Sequence, residues 1–176
     1  ELEPHIARIY PALVIKDTYM EQMFKSGMYM PLELDEAVNI CKKMLIHLEG
    51  NGIKVIRIGL QPTDEMQFGK NIIAGPYHPA FRQLVESEIY KDMIEYLLDS
   101  IKTKNKRNIT ISFNSKDYSN VIGQKKSNIK YFRNKYLDVE IILNINNSLE
   151  PCCISLSIGE IELILSKKDY YRNTIV

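Results

Sequence analysis

The sequence lacks any apolar run near the roughly 20 residues that a bilayer-spanning helix needs, and no basic-then-apolar leader opens it. Neither a membrane span nor a membrane partner is expected. Cysteine is scarce: there are three in 176 residues, and Cys152 and Cys153 are adjacent. That number and spacing build no disulfide framework, which points to a reducing compartment, the cytoplasm. Gly27 and Gly59 stand too isolated for a phosphate loop, and His5 and His47 share no metal-ligand spacing with each other or with the cysteines. An initiating methionine is also lacking. The chain opens on "ELEPHIARIYP", already the approach to a strand, so an excised or processed chain is expected.

What is present is enough for one good core or two modest ones, at 45% hydrophobic residues. The net charge of +1 hides an asymmetry. From Ile101 to Leu137 there are ten basic residues (Lys102, Lys104, Lys106, Arg107, Lys116, Lys125, Lys126, Lys130, Arg133 and Lys135) against one acid, Asp117. Thirteen basic and twenty-one acidic residues remain elsewhere, so one segment carries +9 and the remainder −8. Such a field suits a polyanionic partner, with a solvated basic face as the plainer alternative.

The first half alternates strand and helix signals. "HIARIYPALVIK" (His5–Lys16) is nearly continuous in apolar residues and predicts a parallel strand covered on both faces, with Pro11 marking an edge, bulge or bend. In "LELDEAVNICKKMLIHLEGNG", Ala37, Val38, Cys41, Met44, Leu45 and Leu48 recur at helical steps, and Gly50-Asn51-Gly52 supplies a stop. "IKVIRIGLQP" (Ile53–Pro62) predicts a second buried strand, completing a βαβ unit. Two long loops, "DTYMEQMFKSGMYMPLEL" and "TDEMQFGKNIIAGPYHPAF", fit lids or substrate walls at the carboxyl ends of strands. Pro79 opens a helix through "AFRQLVESEIYKDMIEYLLDSI", with a break near Ser87 left open. Two strands and their helices do not close a barrel, so this half reads as the end of a larger domain.

"RIYPALVIKDTYMEQMFKSGMYMPLELDEAVNICKKML", followed by "VIRIGLQPTD", resembles the late barrel strands of the radical S-adenosylmethionine (SAM) proteins related to the catalytic subunit of Elongator. "AGPYHPAFRQLVES" is similar to the loop and helix of the clostridial-type members, and the likeness covers about Pro4 to Leu98. The resemblance implies a parent enzyme that cleaves SAM at a [4Fe–4S] cluster to form a 5′-deoxyadenosyl radical. The cluster-binding cysteine triplet of that family is absent here, so this chain alone is expected to bind no cofactor. It would supply a later wall of the site, and the remainder of the same protein would be a partner. Cys41 reads as a core residue. Cys152 and Cys153, neighbours in a predicted strand, point to opposite faces and cannot easily share a metal. Lys16, Gln61 and His78 are the candidate cofactor- or substrate-facing residues, with a helix cap as the alternative for His78. For Arg57, inside a strand, a structural and a functional role stay equally open.

In the second half "RNITISFN" (Arg107–Asn114) alternates as a half-buried strand. A short helix over "SKDYSNV" follows, with Ser115 as its cap, then Gly123, a helix carrying Ile129, Phe132 and Tyr136, and two or three strands. This β-α-turn-α-β-β order is that of a type I KH domain without its last helix. "VIGQKKSNIKYF" resembles the KH pattern VIGxxGxxIxxI, over about Asn108 to Ser166, with Lys126 in place of the second glycine. The resemblance implies RNA binding through Gly123, Gln124, Lys125, Lys126, Asn128 and Lys130, with the turn and the following helix N-terminus against phosphates.

The expected fold class is α/β: a partial (β/α) barrel segment over residues 1–103, then an α+β KH-like module over 104–176. The expected function is the C-terminal part of an iron–sulfur radical SAM enzyme that presents RNA, of the tRNA class, for modification through the basic 101–137 segment. Two alternatives stand beside it: a non-catalytic RNA-binding or scaffold protein, and a radical enzyme acting on a small molecule with a purely structural KH-like module.

Overall fold

The computed structural model describes residues 4–101, 108–137 and 139–175. The chain forms two compact units, Glu1–Val85 and Glu86–Val176. The division falls inside one long helix, and the expected 103/104 boundary lies outside the described residues. The fold class is α/β.

In the first unit, β1 (Ile6–Ile9) pairs in parallel with β3 (Lys54–Ile58), and α2 (Leu34–Gly50) connects them. This is the expected βαβ unit. The long apolar run does not form one strand, however. It breaks at Pro11, and β2 (Val14–Ile15) pairs antiparallel with β4 (Ile72–Ala74) instead. Proline has no N–H for a ladder, so a second short strand with a new partner replaces the predicted continuation. Each long loop therefore holds an element: β4 lies in the second, and α1 (Tyr19–Lys25) in the first. Thr18 caps α1, its hydroxyl accepting from the Glu21 N–H.

The buried face of α2 comprises Ala37, Val38, Cys41, Leu45 and Ile46. Ile46 takes the place expected for Met44, which is 44% exposed. α3 (Phe81–Ser100) runs unbroken through Ser87. It buries Val85, Ile89, Tyr90, Met93, Ile94, Leu97 and Leu98, too broad a set for one stripe, as suits a helix enclosed on several sides.

The second unit is built on a four-stranded sheet in the order β6-β5-β7-β8. β5 (Asn108–Phe113) lies parallel to β6 (Glu140–Ile145) and antiparallel to β7 (Cys153–Ile158), which pairs antiparallel with β8 (Ile161–Ser166). Ile109, Ile111 and Phe113 are fully buried, each contributing about 1.5–3 kcal/mol by leaving water. After β5, Asn114 rather than Ser115 caps the turn, its side-chain oxygen accepting from the Lys116 N–H at 3.0 Å. A 3-10 turn, Ser115–Asp117, leads into α4 (Tyr118–Ile122), and α5 (Ser127–Lys135) follows the glycine turn. One further helix, α6 (Lys167–Thr174), follows β8 where the sequence order predicts none. Its signal is Ser166-x-x-Asp169, a cap in which the Ser166 oxygen accepts from the Asp169 N–H at 3.1 Å, with Tyr170 and Tyr171 buried behind it.

Glu95 on α3 ties the helices of this unit together, accepting from the Tyr131 hydroxyl at 2.7 Å and from the Lys135 ammonium. Partial burial works against the Glu95 charge, but the bonds from Lys135 and Tyr131 outweigh it and hold the carboxyl below its ordinary value of 4.5. A folded-state value depressed in this way adds stability above the ordinary value, and that stability is lost as pH falls through the folded value. Urea unfolding across the acid range should therefore show a decline that Glu95→Gln flattens. An unchanged acid limb in that variant would assign the decline to other carboxyls.

Candidate functional site

The glycine turn begins where α4 ends. Gly123 has φ 76° and ψ 160°, and its N–H donates to the Ser119 carbonyl at 3.1 Å. A β-carbon there would sit 2.3 Å from Ser127 Oγ and 2.9 Å from the Asn128 nitrogen, so both backbone and space demand glycine. The turn closes with the Lys126 N–H on the Gly123 carbonyl at 3.1 Å. Lys125 (φ 51°, ψ 30°) and Lys126 (φ 63°, ψ 33°) both adopt the left-handed region, a costly conformation for a side-chain-bearing residue.

Asn128 holds this geometry from inside. Only 1% exposed, it shares its amide hydrogens among the carbonyls of Ser87 at 2.9 Å, Asn120 at 3.2 Å and Val121 at 3.2 Å. Lys125, Lys126 and Lys130 are exposed, and Gln124 is half-buried. Among the described residues no carboxylate pairs with Lys125, Lys126, Lys130 or Arg133. Lys135, counted in the basic segment, is instead committed to Glu95. Lys102, Lys104, Lys106 and Arg107 lie outside the described residues. Beside the turn, Ile129, Phe132 and Arg133 of α5 and Ile141 and Leu143 of β6 line a cavity of about 210 Å³. The structure thus groups Gly123, Gln124, Lys125, Lys126 and Lys130 on one turn and helix start, with Asn128 beneath them.

In the first unit the candidates are less gathered. Lys16 is exposed after β2, with its N–H on the Asn71 carbonyl at 2.8 Å. His78 adopts cap geometry before α3, its Nδ1 accepting from the Ala80 N–H at 3.0 Å. Gln61 accepts from Arg57 Nη1 at 2.8 Å and lines a cavity of about 310 Å³ with Arg57, Pro62, Pro79 and Arg82. Neither Lys16 nor His78 lines that cavity. Arg57 is exposed rather than enclosed in a strand interior. Gly59 serves packing, because a β-carbon there would lie 2.7 Å from the Phe81 β-carbon.

With this geometry in view, comparison with known proteins matches residues 4–91, half of the chain, to the radical SAM C-terminal domain family. The chain belongs to that family. No curated protein and no solved structure matches it.

The family implies a [4Fe–4S] cluster and SAM in the parent protein. The cysteines of this chain do not fit that cluster. Cys41 is 3% exposed within the α2 core, where burial pushes its thiol up to about 11. Cys152 precedes β7 in the left-handed region, and Cys153 begins the strand. Among the described residues no group of three or more His, Cys, Asp or Glu could hold a metal ion. Burial first, then the nearby Glu150, raises the Cys153 thiol.

Two expectations follow. Gly123→Ala should cost about 2–4 kcal/mol from strain and overpacking, read as a lowered midpoint in urea; an unchanged midpoint would mean the turn relaxes freely. In thiol labelling at pH 8, exposed Cys152 should react first and Cys153 more slowly, with Cys41 inert until unfolding. Early reaction of Cys41 would contradict its burial.

Proposed function

We propose that this chain is the C-terminal part of a cytoplasmic radical SAM enzyme of the Elongator catalytic-subunit type, and that its second unit is a KH-like module presenting RNA, of the tRNA class, to the radical site for modification. The observation that carries the RNA reading is the glycine turn. It sets two unpaired lysines on a left-handed backbone next to an apolar cavity. In the bound state, Lys125, Lys126 and Lys130 neutralise phosphates. The Ser127 N–H at the start of α5 is already donated to the Gln124 carbonyl, so the phosphate contacts fall to the lysine side chains. Ile129, Phe132, Ile141 and Leu143 give the bases an apolar floor, and Gln124 is a proposed donor to them. Asn128 contributes from within, by fixing the shape of the turn.

The cluster and SAM supply the radical in such enzymes; the work of this chain's own residues is binding and orientation. Lys16, Gln61 and His78 remain the residues proposed to face cofactor or substrate in the barrel-derived unit.

Binding to tRNA and to unstructured RNA across a salt series tests the proposal, with Lys125→Glu/Lys126→Glu as the variant. For single-stranded RNA, log K should fall with log salt at about −0.7 per phosphate neutralised, so losing two contacts should flatten the slope by about 1.4. Affinity should drop about a hundredfold or more, given two charge-assisted contacts of roughly 1.5–3 kcal/mol each. Tighter binding of tRNA would support the enzyme reading. No binding, or binding indifferent to the two lysines, would make the second unit a structural module and favour a small-molecule substrate.

A further inference from the structure

Arg8 and Arg57 are register partners in the parallel β1–β3 pair. Paired positions project to one face, and both residues are exposed, whereas the next pair, Ile9 and Ile58, is buried on the opposite face. The pairing depends on a bulge, since the register passes from Ala7–Val55 to Arg8–Arg57 and skips Ile56. Bulges of this kind re-aim side chains and concentrate near binding sites. Lys54, opposite Ile6, adds a third cation.

Like charges placed directly opposite in a sheet destabilise it. Among the described residues no carboxylate forms an ion pair with Arg8, Lys54 or Arg57. Arg57 is nevertheless oriented, because its Nη1 donates to Gln61, and both side chains line the 310 Å³ cavity at the carboxyl end of β3. Ligands of parallel α/β sheets bind at that end of the strands. Arg82, on the same cavity, differs: Glu49 lies 4.0 Å from its guanidinium, and its Nη1 is spent on the Val55 carbonyl.

We propose that Arg57, held by Gln61 and reinforced by Arg8, binds an oxyanion group, a carboxylate or a phosphate, on a small molecule occupying this cavity. The planar guanidinium donates in parallel to two oxygens of such a group, and the second arginine supplies the charge that makes the unfavourable pairing worth keeping. This site is separate from the glycine turn and does not depend on the RNA reading.

The test is a titration of the full chain with inorganic phosphate and, separately, acetate, against chloride as control, following the arginine side-chain N–H signals by NMR. Saturable shifts of the Arg57 signals beyond those in chloride are expected. Arg8→Gln and Arg57→Gln should each weaken binding about tenfold, the loss of one charge-assisted contact. Arg57→Lys, which keeps charge and loses the fork, should also weaken it. A preference for phosphate identifies a phosphoryl ligand, and a preference for acetate a carboxylate. Circular dichroism verifies folding; if Arg57→Gln disrupts the strand pair, Arg8→Gln carries the test. A response equal to that in chloride, or affinity unchanged in the folded glutamine variants, would overturn the proposal.

Discussion

One buried carboxamide determines the shape of the second unit. Asn128 bonds at once to a carbonyl in α3 and to two at the end of α4, while its own backbone forms the start of α5. Three helices are thereby fixed around a single side chain. Its backbone nitrogen is also what a β-carbon at Gly123 would approach, so the glycine and the asparagine are one constraint seen from two sides. Buried amides of this kind are costly if unmet and specific when met, and here both hydrogens are used. The left-handed lysines follow from it. A chain leaving Gly123 and required to bring Asn128 back beneath α4 has little room for another path.

The first unit is organised differently. Its parallel pair turns one face, through Ile9, Val55 and Ile58, toward a buried core and the other toward solvent. The exposed positions of the pair are Arg8, Lys54 and Arg57 together with Ile6 and Ile56. Membership in the radical SAM C-terminal domain family implies a larger parent protein, and Cys41, the one cysteine of this unit, is buried in the α2 core. At the carboxyl end of β3, Arg57 and Gln61 are bonded to each other.

Local signals in the sequence are legible wherever one principle dominates. The βαβ unit is readable from continuous apolar strands around a periodic helix, and β5 from alternation. The turn at Gly123 is readable because a lone glycine between two helical patterns marks the junction where one helix stops and the next begins. What escapes depends on partners far along the chain. Pro11 signals a disturbed strand, but the antiparallel pairing with Ile72–Ala74 that replaces the continuation is non-local. Arg8 carries no signal until the register sets it beside Arg57. Asn128 reads as a surface donor because asparagine usually is one; its burial depends on α3, some forty residues earlier. The helix at Lys167–Thr174 escapes for a local reason, since it is short and mostly polar, and the Ser166-x-x-Asp169 cap is easily passed over.

In the glycine turn, shape and charge have separate origins. Gly123 and Asn128 set the backbone path, and the ammonium groups of Lys125 and Lys126 set the field, with neither lysine side chain bonded to another of the described residues. Neutralising an ammonium, as acetylation does, would erase charge without releasing the left-handed backbone. The charge of the turn is therefore open to chemical adjustment in steps, with the scaffold that presents it left intact.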